Sequence, residues 1–304
     1  MEYILKTDRL EKKYKDFAAL RGLTMHVPAG SIYGFVGKNG AGKTTLIRTI
    51  CGLQDVNAGE YELFGVKNTD RCISRSRRRM GAIVETPSIY LDMTAADNLK
   101  QQFDLLGRPA YDGIGDLLNL VGLGDTEKKR AKHFSLGMRQ RLGIAVALCG
   151  DPDLLVLDEP INGLDPQGII EMRELIRKLN RERKITVLIS SHILDELSRL
   201  ATHYGFIDHG RIVREISAED LENACRKCVR LTVTDISALT AVLDEMGIEY
   251  RITGRNRADV FAKPVLSRIT RQLDRYGCDL ISADVRDESL EDYYISLVEG
   301  GSHE

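Results

Sequence analysis

What the 304-residue chain lacks narrows its function before any motif is considered. It has little charge imbalance: 43 lysines and arginines stand against 45 aspartates and glutamates. No global field is therefore available to hold a nucleic-acid backbone or an anionic lipid surface. It has no apolar run approaching the roughly 18 residues that a membrane span requires. Its first residues, Met1-Glu2-Tyr3-Ile4-Leu5-Lys6, do not provide the apolar centre of a signal peptide. The expectation is a protein that neither crosses a membrane nor is secreted and that works in the cytoplasm. The chain also lacks a metal framework of cysteines. Its six cysteines are scattered, and Cys225-Arg226-Lys227-Cys228 has no second ligand pair at matching spacing to complete a tetrahedral site. The one concentrated charge run, Arg75-Ser76-Arg77-Arg78-Arg79, reads as a solvated loop or helix face or, alternatively, as a contact with a partner or with headgroups beneath one.

What is present supports a large core, with 43% hydrophobic residues and a length that suggests about two domains. From about Leu5 to Ile216, short β-rich apolar runs such as Ile32 to Val36, Leu154 to Leu157 and Thr186 to Ser190 alternate with amphipathic helical stretches. That pattern reads as α/β with a largely parallel sheet. A different grain begins after the strand-like turn Asp208 to Val213, so the expected domains are 1–218 and 219–304. In the second, Val229 to Val233 alternates like a strand and Ile236 to Met246 has helical spacing. Tyr250 to Thr253 and Val260 to Ala262 flank a Gly-Arg-Asn turn, Pro264 to Tyr276 reads as a helix with proline at its start, and Leu280 to Val285 as a strand. The order βαββαβ predicts a small α+β domain of the split-βαβ type. A last helix, Leu290 to Val298, is expected to pack back on the body.

The segment Gly37-Lys38-Asn39-Gly40-Ala41-Gly42-Lys43-Thr44-Thr45 follows an apolar strand and opens a helical run. This is the GxxxxGK[ST] phosphate loop in its required context. Its glycines let several N–H groups turn inward toward phosphate oxygens at the positive end of the following helix. Lys43 is placed to reach the β- and γ-phosphates and Thr44 to offer its hydroxyl to Mg²⁺. Leu154 to Leu157 ends in Asp158-Glu159, a buried strand delivering two acids to the edge of a sheet. Asp158 is expected to hold Mg²⁺ through water, and Glu159 to orient and deprotonate an attacking water. A second apolar strand closes on Ser190-Ser191-His192. It brings the imidazole to the same edge, in reach of a γ-phosphate.

The stretch Phe134-Ser135-Leu136-Gly137-Met138 resembles the signature of ABC-transporter ATPases, with LSGGQ replaced by FSLGM. Several motifs match in order over residues 5 to about 215, and the chain is identified as a member of that family of P-loop NTPases. The resemblance implies ATP and Mg²⁺ as ligands, with residues 37–45 forming the nucleotide cradle. It implies a head-to-tail pair of nucleotide-binding domains in which Ser135 and Gly137 contact the γ-phosphate bound by the opposite subunit. Asp165 would reach across that pair, and Tyr14 would stack on adenine, with Phe17 as the alternative. As an isolated feature, Ser135-Leu136-Gly137 is also a plain helix N-cap. The resemblance makes residues 86–150 a helical subdomain whose groove receives a helix from a separate membrane permease, with the chain peripheral on the inner face of the membrane.

Glu85 is the informative departure, because most of the family carries glutamine there. It puts a carboxylate near Mg²⁺ and the attacking water and removes two N–H donors. With FSLGM and the ending Leu290-Glu291-Asp292-Tyr293-Tyr294, it resembles the bacitracin-resistance and lantibiotic-immunity subgroup. The rival reading, a soluble non-transport ABC ATPase acting on ribosomes or nucleic acid, fits less well. The chain has a single phosphate loop, no heptad run and near-neutral charge. For the C-terminal domain two roles stand open, a dimer-stabilising appendage and a ligand-binding regulator.

Overall fold

The structure, a computed structural model, describes residues 2–108, 110–225, 228–261, 266–286, 293–295 and 297. Contacts divide the chain between Ala218 and Glu219 into two units.

In the first unit, β1 (Tyr3–Tyr14) and β2 (Phe17–Pro28) form a long antiparallel hairpin, and β3 (Ile32–Val36) then runs into α1 (Lys43–Ile50). After β4 (Ala58–Leu63), β5 (Val66–Lys67), the short α2 (Ile73–Arg77) and β6 (Met80–Ile83) comes a helical layer of α3 (Ala95–Leu105), α4 (Ile114–Leu120) and α5 (Leu136–Leu148). The chain continues through β7 (Leu154–Asp158), α6 (Pro166–Arg183), β8 (Thr186–Ser191), α7 (Leu194–Ser198), β9 (His203–Asp208) and β10 (Arg211–Ser217).

Two sheets result, one of order β2-β1-β4-β5 and one of order β10-β9-β3-β8-β7-β6. The second is parallel from β9 to β6 with β10 added antiparallel, as the alternating pattern predicts. The antiparallel first sheet was not foreseen. Its hairpin strands carry several register shifts, which break the period-2 alternation by which a strand is recognised.

α1 lies between the sheets. Leu46, Ile47 and Ile50 are fully buried in one core with Leu5, Leu20 and Met25 of the first sheet and Phe35, Val156 and Leu188 of the second. Each such side chain contributes about 1.5–3 kcal/mol of burial, so α1 is clamped along its length. The helices of the third layer start where their polar residues allow. Thr94 and Asp97 form a capping box at α3, with Asp97 N on Thr94 Oγ1 at 3.1 Å and Thr94 Oγ1 on Asp97 Oδ2 at 2.7 Å. Ser135 caps α5, and Asp165 caps α6 with Pro166 in its first turn.

The second unit begins within α8 (Ala218–Ala224) and follows the order β11 (Cys228–Val233), α9 (Ile236–Glu245), β12 (Tyr250–Gly254), β13 (Arg257–Val260), α10 (Leu266–Leu273), β14 (Leu280–Arg286). Its antiparallel sheet runs β12-β13-β11-β14. Leu239, Val242, Leu243, Ile269 and Leu273 of the helices cover Leu231, Val233, Ala258 and Val260 of the strands. This is the expected βαββαβ arrangement, with one correction. β13 ends at Val260 rather than starting there, because the turn after Gly254 is tight and Arg257 already pairs with Thr232. Pro264 lies outside the described residues, as does most of the expected helix from Leu290 to Val298.

Candidate functional site

The parallel strands β3, β7 and β8 are buried throughout and in register, with Val36 beside Ser191 and Asp158 beside Ser190. Their carboxyl ends therefore release three loops at one edge, where open α/β sheets place their ligands. The loop after β3 admits no side chain at two points. A Cβ on Gly37 would lie 2.5 Å from the Ile207 carbonyl oxygen, and one on Gly42 would lie 2.6 Å from that of Ala19, with Gly42 also at φ 113°. α1 starts at this glycine without a side-chain cap, so the N–H groups of its first turn, which no helical carbonyl satisfies, are available to an anion.

Lys43 is 5% exposed, and its ammonium folds back on the Gly37 carbonyl at 2.7 Å, the Lys38 carbonyl at 3.3 Å and Glu159 Oε1 at 3.3 Å. A buried cation resting on carbonyls at the centre of a backbone cradle can bind an anion with little reorganisation. Thr44 Oγ1 donates to Asp158 Oδ2 at 2.9 Å, and Ser190 Oγ donates to Asp158 Oδ1 at 2.6 Å. The result is a compact set of hard oxygen donors of the kind magnesium selects.

Glu159 sits in the left-handed region at φ 48°, a conformation that costs an ordinary residue about 1–2 kcal/mol. It is held there by its own N–H on Ser190 Oγ at 2.9 Å. Its Oε2 meets His192 Nδ1 at 3.1 Å and Asn162 Nδ2 at 3.3 Å. A carboxylate only accepts, so Nδ1 carries the ring proton in this contact. Behind this pair, Ser191 Oγ donates to Glu196 Oε2 at 3.3 Å. Burial pushes the Glu196 carboxyl above the usual carboxylate range, opposed by the Ser191 hydrogen bond and the nearby His192, with the Glu159 charge adding to the rise.

Lys43, Thr44, Asp158, Glu159 and His192 thus meet at one edge, with the cradle residues Lys38, Asn39, Gly40, Ala41 and Thr45 around them. Ser135 accepts from Met138 N at 3.2 Å and Asp165 from Gly168 N at 3.3 Å, so within one chain both act as helix caps. Gly137 stands in the first turn of α5. Tyr14 closes the β1–β2 hairpin opposite Phe17. The two rings are 42% and 56% exposed. The Tyr14 hydroxyl is hydrogen-bonded to Gln54, whose amide is anchored on the Thr45 carbonyl at 2.7 Å, so the ring is tied to the helix that follows the cradle. Glu85, expected beside the metal, forms an ion pair with Arg48 Nη2 of α1 at 2.7 Å, with both side chains about half-exposed.

Sequence reasoning missed Ser190, Asn162 and Glu196. Ser190 had a signal: its hydroxyl directly follows the apolar run Val187-Leu188-Ile189 of a strand that reads as buried, and a buried hydroxyl must have a partner. Ser190→Ala removes the donor to Asp158 and the acceptor that holds Glu159 N. We expect ATPase turnover to fall by roughly 10–100-fold, as for other supporting partners of reacting groups. Nucleotide affinity measured without metal should stay near wild type; steady-state turnover at the wild-type rate would remove Ser190 from the account.

A phosphate cradle served by an acid pair from the second strand away in the same sheet defines a P-loop NTPase. Residues 20–162 match the family model for the ABC transporter. The chain is 39% identical to the bacitracin transport ATP-binding protein BcrA of Bacillus licheniformis over 99% of both lengths. It is 43% identical to the lantibiotic transport ATP-binding protein SrtF of Streptococcus pyogenes over 72% of this chain and 93% of that one. Among solved structures it resembles cbiO1 of Clostridium perfringens, part of the transporter complex cbiONQ, at a TM-score of 0.66 and 25% identity over 73% of this chain and 92% of that one. It also resembles the ADP conformation of the ATP-binding cassette MJ1267, at 0.64 and 25% over 72% and 93%. The chain belongs to the ATP-binding subunits of ABC transporters and is an ATPase that binds and hydrolyses ATP.

Proposed function

We propose that this ATPase drives a separate membrane permease that exports, or confers resistance to, a peptide antibiotic or similar amphiphile. The observation that carries the reading is the end-to-end relationship to BcrA, at 99% of both chains, which takes in the second unit as well as the ATPase. The site supports it by bringing Lys43, Thr44, Asp158, Glu159 and His192 together at one sheet edge. No helix among the described residues is long and apolar enough to cross a membrane, which agrees with a membrane path supplied by another chain and a position on the inner face of the membrane.

In this reading ATP draws Lys43 from Glu159 to its β- and γ-phosphates, and the backbone N–H groups of residues 37–45 carry the remaining charge. Thr44 and Asp158 would hold Mg²⁺, which would neutralise phosphate charge. Glu159, released from Lys43 and kept in place by Ser190, His192 and Asn162, takes the proton of the attacking water. Tyr14 receives adenine on its exposed face. Ser135, Gly137 and Asp165, which only cap helices within one chain, complete the site of a second ATPase subunit in a head-to-tail pair. Hydrolysis and phosphate release reopen that pair and move the permease between its two facing states.

Glu85 is the link outward. Its neighbours Val84 and Thr86 line a groove between β6 and the helical layer, while its carboxylate holds Arg48 of the cradle helix. We expect deletion of the chain to lower the inhibitory concentration of a bacitracin-type peptide, and the wild-type chain to restore it. Glu85→Gln should lose most of that resistance while its purified ATPase falls much less, because the exposed ion pair is itself worth only about 0–1 kcal/mol. Unchanged sensitivity of the deletion strain to peptide antibiotics would contradict the substrate class, and equal losses of resistance and ATPase would contradict the coupling role.

A further inference from the structure

The groove beside Glu85 has a volume of about 370 Å³ and is bounded by β6, the loop after it, α3 and α5. Its walls are apolar or uncharged, among them Leu106, Gln102, Val146 and Ala147, and no aspartate or glutamate lines it. Leu106, which follows the end of α3 and lines the groove, is 42% exposed.

The charge at this groove is of one sign. Arg77 and Arg78 line its lower end. Arg77 is occupied internally, on the Tyr61 hydroxyl and the Ile50 carbonyl, and Arg79 is paired with Asp153 Oδ2 at 2.7 Å. Arg78 is different: it is exposed, and no ion pair or side-chain hydrogen bond engages it among the described residues. Arg75 and Arg71, earlier in the same segment and outside the groove's lining, are likewise exposed and without an ion pair among the described residues. A slot with apolar walls and a cationic end that the chain does not neutralise is complementary to an amphipathic helix bearing acid at one end.

We infer that the permease segment seated in this groove is a helix whose acidic end meets Arg78, with Arg75 and Arg71 extending the contact. The inference rests on the permease reading above and adds to it the chemistry of the contact. Apolar burial against Leu106 and Val146 holds the helix, and the acid fixes its polarity and register, because the reversed helix would bring an uncharged end to the Arg78 guanidinium.

The test measures binding of the purified chain to native membrane vesicles stripped of peripheral proteins with urea. Placing glutamate at position 78 opposes like charges across the interface. Arg78→Glu is therefore expected to weaken binding by at least about 10-fold, Arg78→Ala by less, and added salt should narrow both differences. Basal ATPase of both variants should equal wild type. Leu106→Asp tests docking separately. If Leu106→Asp loses binding and Arg78→Glu does not, the acidic partner is wrong and the docking reading stands; if neither loses binding, the docking reading itself falls. If Arg78→Glu loses binding equally on protein-free vesicles of the extracted lipids, the arginine meets headgroups and the inference is overturned. Restoration of Arg78→Glu binding by an acid-to-lysine change in the permease would establish the pair.

Discussion

Replacing Glu159 with glutamine is expected to leave ATP binding intact and lower turnover by about 10²–10⁴-fold, the range for loss of a positioned general base. Glutamine has the same size and keeps an acceptor for His192 and Asn162, whose contacts with Glu159 are 3.1 and 3.3 Å long. Ser190 still holds the backbone N–H at 2.9 Å, so the left-handed turn at this residue persists. What is lost is the basic carboxylate and its attraction for Lys43, 3.3 Å away in the free protein. The ammonium is then held only by the Gly37 and Lys38 carbonyls, and phosphate meets less competition for it. The variant should bind ATP at least as tightly as wild type and accumulate as a closed pair that elutes as a dimer in ATP and as a monomer in ADP. Wild-type steady-state turnover would end the role given to Glu159.

Lys43→Ala should fail earlier, at nucleotide binding. The ammonium is the one cation in the cradle that is both buried and backed by carbonyl groups. A donor aimed at developing charge in such a site is worth roughly 3–4 kcal/mol, or about 10²–10³-fold in affinity or rate. The variant also leaves the Gly37 carbonyl without the partner it now has at 2.7 Å. We expect its melting temperature to ignore ATP concentrations that stabilise the wild type by mass action. A wild-type thermal response would show that Lys43 is not the phosphate anchor. The two variants separate binding from chemistry: one should bind and not turn over, the other should do neither.

These expectations were accessible because the groups concerned stand at strand ends. Ile32 to Val36, Leu154 to Asp158 and Thr186 to Ser191 are continuous apolar runs that a buried parallel sheet demands, and each ends in its polar cargo. The helix cap Ser135 was equally visible, whereas the cap made by Asp165 emerged only with the structure. Contacts set by tertiary packing were not visible in the sequence. Nothing local to Glu85 indicates Arg48, which lies on α1 and approaches only because β6 and α1 belong to the same layered core. Glu196 becomes notable only when α7 brings it behind Ser191. The antiparallel sheet was hidden by its register shifts, and by the charged residues Lys6, Asp8, Lys12 and Lys13 along β1, which make that strand read as a polar segment.

The central claim, an ATPase that works on a membrane partner, is tested most directly by recovering that partner. Tagged Glu159→Gln protein would be purified in ATP from detergent-solubilised native membranes, and the material that stays bound identified by mass spectrometry. The account predicts one stoichiometric multi-span membrane protein; recovery of ribosomal proteins or nucleic acid in its place would contradict it.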